Sequence, residues 1–375
     1  MSRSLLSLAL FIVCCLLAVI MGAGGQLLAQ PDTLDRKIAQ MLLVGFRGLR
    51  VEDCPFIGAD IARRNLGGVI LFDYDVVLKR HRRNIASPAQ LKQLVAELQG
   101  LATTPLLVAV DQEGGRIVRL KERYGFPATL SHQQLGAVND PAVTRQHTLK
   151  LAATLHQCGI TLNMAPVVDL ASNPDNPVIA RLERSFSADA QIVTANAAAF
   201  IVAHHHYGVL TCLKHFPGHG SSSADSHLGF TDVSASWSEQ ELVPYRQLLA
   251  MNMVDAIMTA HVFNARLDHR YPATLSPATV TGLLRHQLGF DGVVISDDMQ
   301  MGAITDCYGF ARAIRLALEA GVDILVFGNN LHYDEHIVAR VIALIHKLVD
   351  DGVISPERID RSYRRIMRLK TNLKQ

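Results

Sequence analysis

Short apolar runs alternate along the chain with segments of helical length. Eight runs rich in Val, Ile and Leu predict strands at Met41–Phe46, Gly68–Phe72, Leu106–Val110, Thr161–Ala165, Leu210–Leu213, Ala256–Thr259, Val293–Ser296 and Ile324–Phe327. Several of these runs are apolar at consecutive positions, which is typical of strands buried on both faces of a parallel sheet.

Helical patterns fill the spaces between the strands and continue after the last one. The clearest are Pro88–Gly100, Pro141–Cys158, Asp189–Tyr207, Ser238–Asn252, Pro277–Leu288, Tyr308–Ala320, His336–Asp350 and Ser355–Leu373. Strands that alternate with helices in this number predict an α/β fold, a single TIM-type (β/α)8 barrel. No Gly-x-Gly-x-x-Gly pattern follows an early strand, which argues against a dinucleotide-binding fold.

The N-terminal segment differs from the rest of the chain. Arg3 is followed by no charged residue until Asp32, and Leu5–Met21 is almost wholly apolar. This pattern is typical of a secretory signal peptide, although the run is nearly long enough to stay in a bilayer. We therefore expect residues 1–30 to be a signal peptide or an inner-membrane anchor, and residues 31–375 to be the barrel domain. The protein is expected to be exported, either periplasmic or secreted.

Composition narrows the classes of partner. A formal net charge of +2, with 49% hydrophobic and 19% charged residues, is typical of a globular protein with a large core. It gives no broad basic field, so we expect no nucleic-acid partner, and contact with a membrane only through the N-terminal segment. The basic run Lys79–Arg83 is expected to be a solvated loop.

The cysteines outside the apolar N-terminal run show no metal-binding spacing. No C-x-x-C pair occurs among Cys54, Cys158, Cys212 and Cys307. Export would permit disulfide bonds among them, but buried free thiols are the favoured interpretation.

Polar and charged side chains cluster at or shortly after the ends of five of the predicted strands. They are Asp111, Gln112 and Glu113 after the third strand, Asp169 after the fourth, Lys214 and His215 after the fifth, His261 after the sixth, and Asp297 and Asp298 after the seventh. One such residue would be taken for a helix cap or a loop ion pair. Because barrel active sites lie at the carboxyl ends of the strands, five such positions together predict a functional rim.

The segment Lys214–Gly220 reads Lys-His-Phe-Pro-Gly-His-Gly, and its Pro and Gly residues predict a tight loop. In Asp225-Ser226-His227, which follows, an Asp two residues from a His can orient the ring and raise its basicity, as a proton shuttle requires. A zinc site built from these histidines is the less favoured alternative, because the loop removes helical ligand geometry. Histidines that only brace the loop are another.

Other groups suit the binding and cleavage of a sugar. Asp297, at the end of an apolar strand, could attack an anomeric carbon, and Asp298 is expected to be a cap or supporting group. The segments Asp111–Arg119 and Glu183–Phe186 supply carboxylates and arginines, which bind hydroxyls through charge-assisted hydrogen bonds. Surface ion pairs are the alternative interpretation for both segments.

Together, Val110–Arg119, Glu183–Phe186, Lys214–His227 and Gly292–Met299 resemble glycoside hydrolase family 3, specifically its bacterial β-N-acetylglucosaminidase branch. The four pieces occur in the family's order and span most of the chain after the apolar segment. Lys-His-Phe-Pro-Gly-His-Gly followed by Asp-Ser-His is a highly specific signature.

The resemblance implies a role for each matching residue. Asp297 would be the nucleophile, His227 the acid/base and Asp225 its dyad partner. The implied residues that hold the N-acetylglucosamine are Asp111, Arg119, Arg184, Lys214 and His215. The resemblance also implies that residues 31–375 are the family's N-terminal-type catalytic barrel, that no metal or organic cofactor is needed, and that non-reducing-end N-acetylglucosamine is removed from peptidoglycan fragments or related glycans with retention of configuration.

Three alternatives stay open at this point. A phosphorylase is one, because a His repels phosphate less than a carboxylate does. A β-glucosidase on the same fold is another. A non-catalytic sugar-binding protein is disfavoured because the nucleophile and dyad candidates are all present. The export signal sets the chain apart from the cytosolic members of this branch, and no second domain is expected after the barrel.

Overall fold

Parallel strands close into a barrel in the computed structural model, which describes residues 33–225 and 229–373. The eight barrel strands are β1 (Leu42–Gly45), β2 (Gly68–Leu71), β3 (Leu107–Val110), β4 (Leu162–Asn163), β5 (Leu210–Phe216), β6 (Ala256–Thr259), β7 (Val293–Asp298) and β8 (Ile324–Phe327). Each strand pairs with its neighbours in chain order, and β8 pairs with β1 to close the ring, with Leu42 opposite Leu325.

One helix precedes β1, others connect successive strands, and two follow β8. They are α1 (Leu34–Gln40), α2 (Pro55–Arg64), α3 (Pro88–Leu101), α4 (His132–Val138), α5 (Pro141–Gln157), α6 (Ala190–His206), α7 (Val243–Ala250), α8 (Gly302–Tyr308), α9 (Phe310–Ala320), α10 (Ile337–Asp350) and α11 (Pro356–Lys370). A π-helical segment, Ala278–Gln287, lies between β6 and β7. Side chains of Ser87, Asp140, Asp189 and Ser355 cap the helices that follow them.

The predicted (β/α)8 barrel is confirmed. The burial of its strands explains why consecutive apolar residues predicted them. Every residue of β1, β2, β3, β6 and β8 is buried. These strands contact barrel interior on one face and helices on the other, so they need apolar residues at consecutive positions.

Element boundaries differ where local chemistry intervenes. The fourth strand is only Leu162–Asn163, although backbone contacts to its neighbours continue, with the Met164 N–H donating to the Val110 carbonyl oxygen at 2.9 Å. The predicted helix Ser238–Asn252 divides into a 3-10 turn, Glu239–Leu242, and α7, with Pro244 in the first turn of α7.

The prediction that Lys79–Arg83 is a solvated loop is wrong for Arg83. Arg80–His81 pairs with Tyr74–Asp75 as a short antiparallel hairpin, and Arg83 is buried. The guanidinium of Arg83 donates to Asp75 Oδ2 at 2.6 Å and to the Asn329 carbonyl oxygen at 2.8 Å. The hairpin returns Arg83 to a carboxylate eight residues earlier, a contact that composition does not reveal.

The predicted export or anchor segment, residues 1–30, lies outside the described residues. Within residues 33–225 and 229–373, no helix has the length and apolar character needed to cross a membrane. Cys54, Cys158 and Cys212 are buried free thiols, whereas the free thiol of Cys307 is exposed. Burial raises the pKa of the Cys54 thiol to about 12, so this side chain is inert at neutral pH.

Candidate active site

A cavity of about 700 Å³ opens at the carboxyl ends of the barrel strands. It brings together seven of the eight residues predicted for the site: Asp111, Arg119, Arg184, Lys214, His215, Asp225 and Asp297. The eighth, His227, lies outside the described residues. The remaining lining is mostly apolar and includes Phe72, Val178, Leu182, Met258 and Leu331.

A buried ion-pair cluster forms one wall of the cavity. Lys214 Nζ lies 2.9 Å from Asp111 Oδ1 and 2.8 Å from Glu113 Oε1. Arg184 donates two hydrogen bonds to the Glu113 carboxylate, both at 2.8 Å. Arg119 closes the cluster with a 3.2 Å contact to Asp111 Oδ2. The cluster joins the ends of β3 and β5 to the loop after β4.

Mutual pairing keeps these groups ionised despite burial. Burial alone would raise the pKa of Asp111, but Lys214 and Arg119 outweigh it and hold that pKa below its usual value. Burial likewise opposes the charge on Lys214, yet Asp111 and Glu113 raise the pKa of the ammonium. The wall therefore offers fixed charges that can bind sugar hydroxyls without first being ionised.

His215 is held by two partners of different kinds. Its Nδ1 lies 2.6 Å from Asp169 Oδ2, and its Nε2 lies 3.2 Å from Arg184 NH2. Because the guanidinium can only donate, Nε2 accepts and the proton of a neutral ring is assigned to Nδ1. Asp169 also accepts the backbone N–H groups of His215 and His219, at 3.1 and 2.8 Å.

The chain turns tightly directly after β5, at residues 217–220, as the Pro and Gly residues predicted. Gly218 has φ +118°, and a Cβ there would lie 2.5 Å from Glu241 Cβ. A Cβ on Gly220 would lie 1.7 Å from the Leu170 carbonyl oxygen. Glu241 is buried beneath the loop and accepts the Leu170 N–H at 3.0 Å. Burial, followed by the charge of Asp169, raises the pKa of Glu241 to about 8.

The loop continues toward Asp225 through a side-chain network. Asn176 Nδ2 donates to the His219 carbonyl oxygen at 2.7 Å and to Ser222 Oγ at 3.1 Å. Ser222 Oγ in turn lies 2.7 Å from His219 Nδ1. Burial lowers the pKa of His219 to about 4, so its ring is neutral at pH 7. These contacts fix the segment that leads to Asp225, which lines the cavity.

Asp297 and Asp298 end β7 with different environments. Asp297 Oδ1 accepts the Asp298 N–H at 2.8 Å, which orients the carboxylate at the barrel mouth. Asp298 Oδ1 accepts the backbone N–H groups of Gln300 and Gly328, both at 3.0 Å. Asp298 is thus a supporting group, as predicted. His261, expected on the rim, is buried and its Nε2 lies 3.0 Å from the Asp298 carbonyl oxygen.

Several functional contacts are not visible in the sequence. Glu113 is one of the strand-end residues that predict the rim, but the sequence does not show that it compensates both Lys214 and Arg184. Asp169 orients His215 across a separation of 46 residues. Asp73, which follows β2 and lines the cavity, pairs with Lys121 at 2.6 Å. Its position after a strand was the available signal, as for the other rim residues. By contrast, Arg116 and Glu183 form a surface ion pair. For these two residues, the alternative to sugar binding is the one observed.

Most of the chain matches a known protein family. Residues 33–369 match the family model described as the glycosyl hydrolase family 3 N terminal domain. The chain belongs to glycosyl hydrolase family 3. The family predicted from four sequence pieces is thereby confirmed.

Proteins similar to this chain are named as beta-hexosaminidases or as a beta-N-acetylglucosaminidase. Beta-hexosaminidase A of Pseudoalteromonas piscicida is 32% identical, over 92% of this chain and 62% of that protein. Beta-hexosaminidase of Tolumonas auensis is 38% identical, over 71% of this chain and 76% of that protein. A solved family 3 beta-N-acetylglucosaminidase from Paenibacillus sp. str. FPU-7 superposes with a TM-score of 0.82 at 36% identity, over 91% of this chain and 62% of that one. The chain therefore spans less than two thirds of the first and third of these proteins.

The carboxylates of the charged cavity wall pair with cationic side chains. Among residues 33–225 and 229–373, no three His, Cys, Asp or Glu side chains form a group that could hold a metal ion. Asp111 and Glu113 instead face cations of the chain itself.

Proposed function

We propose that the protein is a retaining exo-β-N-acetylglucosaminidase that releases N-acetylglucosamine from the non-reducing end of a glycan. The observation that carries the proposal is the shared cavity, in which Asp297 lies with the charged wall of Asp111, Arg119, Arg184, Lys214 and His215. Relatives named beta-hexosaminidase and beta-N-acetylglucosaminidase support the choice of sugar.

The wall suits recognition of a sugar rather than direct chemistry. Lys214 and Arg184 donate to hydroxyl oxygens, while Asp111 accepts hydroxyl protons, so each hydroxyl finds a charged partner. The cavity volume lies within the range of ordinary small-molecule sites, roughly 300–1,000 Å³. It accommodates one sugar ring and the start of its leaving group.

Chemistry proceeds in two steps in this proposal. Asp297 attacks the anomeric carbon and forms a glycosyl ester while the bond to the leaving-group oxygen breaks, and His227 gives that oxygen its proton. His227 then takes a proton from water, whose oxygen attacks the same carbon and releases the carboxylate of Asp297. Asp225, on the loop that leads to His227, accepts the ring N–H of His227 and stabilises its charged form.

The natural substrate and location extend the same proposal. We propose peptidoglycan fragments or related N-acetylglucosamine-containing glycans outside the cytoplasm, reached by an exported or membrane-anchored protein. The support is the sequence of residues 1–30, with its early Arg3 and apolar Leu5–Met21.

Turnover of matched substrates tests the proposal. We expect 4-nitrophenyl β-N-acetylglucosaminide to be cleaved with kcat/KM at least about tenfold above that of the β-glucoside, because a site built to pair a polar group rejects the analogue that lacks it. Product analysis with and without inorganic phosphate separates hydrolysis from phosphorolysis. Free N-acetylglucosamine in both conditions supports the proposal, whereas a sugar 1-phosphate or faster glucoside cleavage would overturn it.

A further inference from the structure

A short hairpin stands at the mouth of the cavity. We define the rim hairpin as residues 74–83, in which Tyr74–Asp75 pairs antiparallel with Arg80–His81. Tyr74 and Val76 line the cavity, together with Asn330 and Leu331 from the loop after β8. The rim hairpin is thus continuous with the proposed active site, and none of the residues assigned above to sugar binding or chemistry belongs to it.

The base of the rim hairpin is fixed by buried polar contacts. Asp75 accepts from Arg47 at 2.7 Å, from Arg83 at 2.6 Å and from the Leu78 N–H at 2.8 Å. Asn330 accepts the Val76 N–H at 3.0 Å and donates to the Tyr74 carbonyl oxygen at 3.0 Å. These contacts tie the hairpin to the loops after β1 and β8, so its tip is held in a defined position.

The tip combines an exposed apolar run with an exposed basic run. Val76, Val77 and Leu78 are consecutive and 44%, 49% and 47% exposed. They are followed by the exposed cations Lys79, Arg80 and Arg82, with no acidic residue in residues 76–82. Within the described part of the chain, the side chains of these three cations enter no ion pair, whereas the cations of the cavity wall are all paired.

We propose that the rim hairpin is a leaving-group subsite that binds an anionic aglycone with an apolar portion. The inference rests on the proposed function and adds the chemical class of the group beyond the scissile bond. Val76 lines the cavity, and Val77 and Leu78 follow it at the tip of the hairpin. In this proposal, Val77 and Leu78 contact an alkyl or ring face of the aglycone. Lys79, Arg80 and Arg82 then face its carboxylate, and they attract it most strongly at low ionic strength.

Paired synthetic substrates test the subsite. Two β-N-acetylglucosaminides carry the same alkyl-extended aryl aglycone, which ends in a carboxylate in one and in a carboxamide in the other. We expect wild-type kcat/KM to favour the carboxylate by about threefold to tenfold, the effect of two or three exposed ion pairs. The preference should shrink as salt is added.

Variants locate the preference on the hairpin. The triple variant K79Q/R80Q/R82Q should reduce the carboxylate-to-carboxamide ratio to about one, since it removes the exposed charges. The matched control K92Q/R145Q/K150Q removes three exposed cations from α3 and α5 and should keep the wild-type ratio. V77S/L78S should lower kcat/KM for both extended substrates alike. All three variants should cleave 4-nitrophenyl β-N-acetylglucosaminide at the wild-type rate.

The outcomes separate the subsite from the proposed function. An equal ratio in wild type and the hairpin triple variant would overturn the subsite, even with normal nitrophenyl turnover. Absence of any N-acetylglucosaminide cleavage would instead contradict the proposed function. Cosedimentation with vesicles of anionic phospholipid tests whether the rim hairpin binds a lipid surface instead. Binding that the triple variant loses, together with no carboxylate preference, would assign the hairpin to a lipid surface and reject the proposal.

Discussion

Glu113 shows how one residue sets the electrostatics of the site. Its carboxylate lies between Lys214 and Arg184, and all three side chains are nearly inaccessible to solvent. Breaking a buried ion pair by removing one partner costs far more than losing a surface pair, because the other charge is left uncompensated. Glu113 is therefore a positioning residue for the two cations of the sugar-binding wall.

Glu113→Gln keeps the shape of the side chain and removes its charge. We expect kcat/KM on the nitrophenyl N-acetylglucosaminide to fall by about 10-fold to 100-fold, the effect of roughly 1.4–2.8 kcal/mol. Loss of the carboxylate leaves Lys214 and Arg184 each with one anionic partner fewer, so KM should rise more than kcat falls. Glu183→Gln, which breaks the exposed pair with Arg116, is the control and should change little. A stability loss with KM unchanged would reduce Glu113 to a scaffold role.

Residues at strand ends could be predicted because the strand pattern itself places them. Asp111, Lys214 and Asp297 each directly follow or end an apolar run, so their position on the rim follows from the fold. Their partners could not be predicted in this way. Asp169 reaches His215 across 46 residues, and Asn176 reaches the His219 carbonyl oxygen across 43. Such pairings depend on loop paths that no local pattern encodes.

At the scale of elements, the last helix closes the base of the barrel with a buried amine. Lys370, at the end of α11, donates to Gln40 Oε1 at 2.6 Å and to the Gly67 carbonyl oxygen at 2.8 Å. Both partners are neutral, and burial lowers the pKa of Lys370 to about 7. The pattern of Ser355–Leu373 predicts a helix here, but it does not show that Lys370 is buried.

The free energy of unfolding should depend on pH through Lys370. Between pH 7 and about 10.4, the unfolded chain binds a proton at this lysine that the native state does not bind. Stability contributed by this group therefore rises with pH in that window, by up to about 1.4 kcal/mol per pH unit. Urea unfolding of wild type and Lys370→Met should give a difference that grows in favour of wild type from pH 7 to 9. A difference independent of pH would show that the native state binds the proton too.

Helices and strands differed in how far sequence could define them. The strands Ala256–Thr259 and Ile324–Phe327 match their predicted limits. Short helices such as Pro55–Arg64 and His132–Val138 were not predicted, since a few turns offer too little apolar periodicity. Arg80–His81, the second strand of the rim hairpin, lies in the run Lys79–Arg83, which was interpreted from its charge alone.

At the scale of the whole molecule, the barrel collects chemistry that the sequence scatters. Each strand and helix unit is encoded locally, so the repeated alternation was enough to predict the fold. The cavity then unites residues from Ile70 to Leu331, which only ring closure between β8 and β1 makes possible. The rim hairpin depends on that closure, since its contacts come from the loops after β1 and β8.

Trapping the glycosyl-enzyme tests the central claim, that Asp297 is the nucleophile of an N-acetylglucosaminide-cleaving site. A fluorinated N-acetylglucosaminyl fluoride forms the ester readily but slows its hydrolysis, so the adduct accumulates and peptide mass spectrometry can locate it. We predict a mass increase of one sugar on the peptide that contains Asp297, and none in Asp297→Ala. A sugar attached to another residue, or turnover of ordinary substrate by Asp297→Ala at the wild-type rate, would contradict the account.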